Sequence, residues 1–116
     1  MKYTSLFGIM VRINGYDWRI KFTRDKRDLM RSDGVVTLGV TDRNDFTIYL
    51  FDGLKGDLLQ KVIIHELTHA FIFSYGFYLT LEEEEFVCSF LDTYARDIIR
   101  EADYMLKSGL RSMLYH

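Results

Sequence analysis

The residues of this sequence best suited to chemistry lie in one stretch, His65-Glu66-Leu67-Thr68-His69. Histidines four apart on a helix leave the same face about one turn apart, so two imidazole nitrogens can reach one Zn²⁺ at roughly 2.0–2.1 Å. Glu66 then projects beside the metal, where it can take a proton from an activated water and return it to a leaving amine. Val62, Ile63, Ile64, Leu67 and Ala70 surround these groups. Setting two imidazoles and a carboxylate among apolar residues carries a desolvation cost that a metal would offset. The competing reading is a pair of hydrogen-bonded core histidines beside an exposed Glu66.

A catalytic zinc takes a third protein ligand and keeps one position open for water. Ile72 and Tyr75 occupy the places where a longer motif would put glycine and a third histidine, and His116, the remaining histidine, stands at the end of the sequence. Glu82, Glu83, Glu84 and Glu85 open the next predicted helix and are better candidates. At about 100° per residue, Glu83 and Glu84 fall within roughly 40–60° of that helix's apolar stripe, while Glu82 and Glu85 point away from it. Helical geometry therefore leaves Glu83 or Glu84. The rest of the run suits a solvated helix start, where the helix dipole favours acids.

These groups must be held by an α+β fold. Residues 6–13 and 16–23 read as strands joined by Asn14-Gly15, a pair suited to the positive φ angles of a tight hairpin. Trp18, Ile20 and Phe22 alternate with Arg19 and Lys21, as in a strand with one buried face. Residues 24–34 read as a charged loop, and residues 35–40 and 46–51 as a second antiparallel hairpin. The first helix is expected from about Leu58, capped at Gly56 or Asp57 and stopped at Gly76. The second begins at Thr80, with Glu83 completing a capping box, and runs to about Leu106. Its stripe is Phe86, Val87, Phe90, Leu91, Tyr94, Ala95, Ile98, Ile99 and Ala102. Residues 107–116 read as a tail or a short third helix. The expected architecture is one domain over residues 1–116, with N-terminal antiparallel β-hairpins packed on a C-terminal pair of helices carrying the zinc site.

The chain has 116 residues, 48% of them hydrophobic and 28% charged, which suits one ordinary core. A single cysteine, Cys88, excludes an internal disulfide and fits a reducing compartment. No apolar run is long enough to span a membrane and no secretory cleavage pattern follows Met1, so a cytoplasmic product is expected. A net charge of -2 gives no field for nucleic acid. The basic residues Arg12, Arg19, Lys21, Arg24, Lys26, Arg27 and Arg31 are interrupted by Asp17, Asp25, Asp28 and Asp33, as on a mixed solvated surface.

The stretch Val62-Ile63-Ile64-His65-Glu66-Leu67-Thr68-His69-Ala70 resembles the active-site helix of gluzincin metallopeptidases. More narrowly, it resembles the small ImmA/IrrE-type proteins of phages and other mobile elements. That resemblance implies a minimal zincin-like fold and a glutamate of the second helix as third zinc ligand. Glu84, Val87, Cys88 and Phe90 match the spacing of the family's second-helix pattern, which selects Glu84. Cys88 stands where many members have Asn or Asp, a departure that bears on the hydrogen bonding around the metal.

The expected function is zinc-dependent hydrolysis of peptide bonds in a protein or peptide substrate. His65, His69 and Glu84 would bind Zn²⁺, Glu66 would move the proton, and the strand over residues 46–51 would pair with an extended substrate. The resemblance points to a repressor or other regulator as that substrate. The alternative is a non-catalytic, zinc-stabilised protein-binding module, against which the intact Glu66 argues. Cys88 reads as a small buried hydrophobe. Tyr75 and Tyr78 could serve an oxyanion but read first as packing residues, as do the neighbouring Phe71, Phe73 and Phe77.

Overall fold

The computed structural model describes residues 3–5, 8–109 and 113. Its architecture is α+β: β1 (Tyr3–Ser5), β2 (Gly8–Ile13), β3 (Tyr16–Thr23), β4 (Gly39–Asp42), β5 (Thr47–Phe51), then α1 (Gly56–Ser74) and α2 (Leu81–Lys107). The strands form one sheet in the order β1-β2-β3-β5-β4. No helix among the described residues is long and apolar enough to cross a membrane.

The first hairpin forms where the alternation predicts it. Asn14 and Gly15 take φ angles of 47° and 85°, and Ile13 pairs with Tyr16 directly across the turn. Trp18 faces the core and is fully buried, while Arg19 and Lys21 face solvent. The second hairpin also forms, but β4 starts at Gly39 rather than residue 35, and the preceding segment makes a bridge from Val36 to Met30.

The arrangement of the hairpins differs from the expected one. β5 pairs with β3 in parallel, Arg19 opposite Thr47 through Thr23 opposite Phe51. The strand expected to offer a free edge is therefore interior, and β4 takes the edge instead. Chain alternation gives each strand's buried face but says nothing about which strands become neighbours. β5 has Thr47, Ile48 and Leu50 all buried, as an interior strand should.

α1 lies across the sheet, packing on β2, β4 and β5, and α2 packs on α1. Being covered on two sides explains why residues 62–73 are apolar almost all round apart from the motif. The core gathers Ile13, Trp18, Ile48, Leu50 and Ala70, with Ile63, Leu67 and Phe73 of α1 packed on it. Trp18 Nε1 donates to Ser74 Oγ at 2.8 Å, and Asn14 Nδ2 donates to the Ser74 carbonyl at 2.9 Å. These bonds tie the hairpin turn to the end of α1, whose last carbonyls lack helical partners. Gly76, at φ 71°, then lets the chain turn away.

α2 starts with the predicted capping box: Thr80 Oγ1 accepts from the Glu83 amide and Glu83 Oε1 accepts from the Thr80 amide. Its long apolar stripe is not buried as the periodicity predicts. Within α2 only Glu84 and Cys88 are buried, while Phe86, Phe90, Tyr94, Ile98 and Ile99 are exposed. α2 outruns the single helix it packs on. The expected tail lies mostly outside the described residues, and His116 lies wholly outside them.

Candidate metal centre

The centre is built where α1 and α2 face each other beneath β4. His65 and His69, one turn apart on α1, have ring centroids 5.1 Å apart. Each ring is held at Nδ1 by a carboxylate of α2. His65 Nδ1 lies 2.8 Å from Asp92 Oδ2, and His69 Nδ1 lies 2.5 Å from Glu84 Oε2. Both carboxylate side chains are 7% exposed, and each is paired with a cation from another segment. Lys61 Nζ donates to Asp92 Oδ1 at 2.5 Å and to Thr93 Oγ1 at 3.0 Å. Arg43, from the β4–β5 turn, donates to Glu84. Two parallel relays result, Lys61–Asp92–His65 and Arg43–Glu84–His69.

The other ring nitrogens meet one carboxylate. Glu85 Oε2 lies 3.3 Å from His65 Nε2, and Glu85 Oε1 lies 3.0 Å from His69 Nε2. With the Nδ1 protons directed to Asp92 and Glu84, neutral imidazoles offer lone pairs at Nε2. Glu85 also offers only lone pairs. A cation between them would satisfy acceptors at this separation, since ligand atoms around a tetrahedral zinc stand about 3.3 Å apart. Charge points the same way. Four carboxylates, Glu66, Glu84, Glu85 and Asp92, gather around the two histidines, and Arg43 and Lys61 pair with Glu84 and Asp92. The residues present fit a metal.

Glu66 lies against Thr41 of β4. It is 7% exposed, and Thr41 Oγ1 lies 2.8 Å from its Oε1 and 2.9 Å from its backbone carbonyl, so the hydroxyl can donate to either. Burial pushes the Glu66 carboxyl above its ordinary value, against the Thr41 hydrogen bond and the two histidines. Gly39 makes this approach possible. A Cβ there would lie 2.9 Å from Glu66 Cγ and 2.9 Å from Val62 Cγ1.

Burial also acts to raise Glu84 and Asp92, but their partners prevail. Arg43 and His69 hold Glu84 below its ordinary value, and Lys61, His65 and Thr93 do the same for Asp92. Cys88 is fully buried between these two carboxylates along α2, with Sγ within 4.8 Å of a ring nitrogen of each histidine. Burial, and then the surrounding carboxylates, push its thiol up to about 12. Its thiol and the two imidazoles form a group that could hold a metal ion, and Glu85 comes within 3.3 Å of both rings.

The helix-face argument thus reads the acidic run differently from the structure. Glu83 is spent on the cap and Glu82 is exposed. Glu84 reaches one histidine through Nδ1, and Glu85 spans both Nε2 atoms although its direction lies off the apolar stripe. The stripe is a poor guide because α2 meets α1 through Glu84, Cys88 and Asp92, not through its most apolar face. Asp92, Lys61, Arg43, Thr41 and Gly39 escape the sequence reading. Asp92 alone carries a usable signal, an acid about two turns beyond Glu84 and about one beyond Cys88. Tyr75 and Tyr78 are exposed and do not line the cleft.

That cleft, of about 860 Å³, opens over the centre between β4, the segment at Met30–Ser32 and the two helices. The sequence matches no protein-family model, and no curated protein and no solved structure matches the chain.

Proposed function

We propose that this protein is a zinc-dependent peptidase in which His65, His69 and Glu85 hold the metal and Glu66 transfers the proton. The observation that carries this reading is the meeting of both Nε2 atoms at the Glu85 carboxylate while Glu84 and Asp92 hold both Nδ1 atoms. The family resemblance assigns the third ligand to Glu84. Its contact with His69 Nδ1 supports an orienting role instead, since ligating histidines commonly pass their other ring proton to a carboxylate.

A zinc ion bound there would polarise the scissile carbonyl and bring the pKa of its water to about 7. The chain supplies the rest. Thr41 holds one oxygen of Glu66 and leaves the other to receive the proton of the attacking water. Burial raises the proton affinity of Glu66, so the carboxyl can retain that proton until the leaving nitrogen needs it. β4 borders the cleft and is the outermost strand on its side of the sheet, so an extended peptide can pair along its free edge above Glu66. A protein substrate, such as a regulator encoded with a phage or other mobile element, is what the resemblance adds.

Glu66→Gln provides the test. It should lower peptide hydrolysis by about 10²-fold or more while leaving one equivalent of zinc bound. Full activity in that variant would end the proposal. Normal zinc content without hydrolysis of any peptide by wild type would favour a zinc-stabilised binding module.

A further inference from the structure

The most anomalous surface of this molecule is not at the metal centre but along α2. This helix has 27 residues, about 40 Å, and α1 has 19. Lys61 of α1 bonds Thr93, and Arg96 bonds Gln60, one turn after α1 begins at Gly56. α2 then continues to Lys107, past the start of α1, its helical neighbour among the described residues.

Phe86, Phe90, Tyr94, Ile98, Tyr104 and Met105 lie between 43% and 70% exposed. At about 100° per residue they fall within a sector of about 120°, Phe86 to Ile98 forming a continuous ridge and Tyr104 and Met105 resuming it beyond the exposed Asp97 and Glu101 in the same sector. Phe86 stacks on Phe90 at 6.3 Å and Phe90 meets Tyr94 at 5.1 Å, an aromatic ladder on the outside of the protein. From the usual areas of such side chains, the ridge leaves roughly 700 Å² of surface in water. That exceeds the few hundred Å² usual for a monomer and is close to the about 800 Å² each partner contributes to a stable interface.

We propose that this ridge is the interface of a homodimer in which two α2 helices pack antiparallel about a two-fold axis. Charge identifies the occupant and its direction. Glu82, Arg100 and Lys107 are exposed along one edge of the ridge, the acid near the helix start and the bases near its end. A two-fold axis sets that edge against itself in reverse, so Glu82 of one copy meets the basic end of the other. Parallel pairing would set this edge against the partner's other edge and lose these pairs. The overhanging end of each α2 then covers the aromatic ladder of its partner, and the metal centre stays on the opposite side of the helical hairpin.

Sedimentation equilibrium of the full chain, from low to high micromolar concentration, tests this. Wild type should be a dimer. Tyr94→Asp and Ile98→Asp should each be monomers with unchanged zinc content and helical circular dichroism, since neither residue touches the centre. To test direction, Glu82→Lys and Lys107→Glu should each weaken the dimer at least several-fold, and the double variant should restore it. A wild-type monomer throughout this range would overturn the proposal, as would a dimer that survives both aspartate substitutions. Two single charge variants whose effects merely add would overturn the antiparallel arrangement.

Discussion

Asp92 Oδ2 lies 2.8 Å from His65 Nδ1, across 27 residues of chain. The contact fixes both the direction of the ring and the nitrogen that carries its proton, leaving Nε2 free to bind a metal. Lys61 balances the buried carboxylate, so the arrangement costs less than an unpaired acid would. Asp92→Asn keeps the shape and removes the charge. It should weaken zinc binding by about 10–100-fold with the fold intact. Competition with a chromophoric chelator measures this directly, and unchanged affinity would remove Asp92 from the centre.

Glu84 and Glu85 are adjacent in sequence but meet opposite sides of the imidazoles. Glu85→Gln should therefore abolish stoichiometric zinc binding. Glu84→Gln should retain the metal at reduced affinity, because His69 keeps its place on α1 and loses only its charged partner. Metal analysis of both variants after gel filtration distinguishes them. The reverse pattern would return Glu84 to the ligand set that the family resemblance implies.

Much of this centre can be read along the chain because its parts are local. His65, Glu66 and His69 lie within five consecutive residues of one helix, and Thr80 with Glu83 announces where the next begins. The first hairpin is equally local, set by Asn14-Gly15 and the Trp18 alternation. What stays hidden depends on distant partners. The parallel pairing of β3 with β5, the placing of Gly39 against Glu66, and the reach of Arg43 to Glu84 join residues 25 or more apart, and no period in the sequence encodes them. The stripe on α2 misleads for the same reason. Periodicity reveals an apolar face without saying whether this chain covers it.

The carboxylates around the histidines make the zinc-free protein acid-sensitive with opposite signs. Glu84 and Asp92 are held below their ordinary values of 4.5 and 3.8, so near and below those values the unfolded chain binds more protons and stability falls as pH falls. Glu66 is raised above 4.5, so there the folded state binds the extra proton and stability falls as pH rises. In urea melts of chelator-treated protein from pH 3 to 7, about the carboxylate range, Asp92→Asn should flatten the acid limb. Glu66→Gln should remove the loss above 4.5. An identical pH profile for wild type and both variants would contradict this assignment.

A Cβ at Gly39 in the edge strand would meet both Glu66 and Val62. Its backbone is not in the left-handed region, so alanine is tolerated locally and the conflict lies entirely with α1. The added methyl must displace Val62 or push Glu66 off Thr41 Oγ1. Overpacking of this kind costs about 1–3 kcal/mol. Gly39→Ala should therefore lower the melting temperature modestly and reduce peptide hydrolysis much more than zinc affinity, since the added methyl meets Glu66 and Val62 first. Thermal melts, metal titration and a peptidase assay on one preparation separate the effects. Equal loss in all three would mean that Gly39 serves the fold alone and not the position of Glu66.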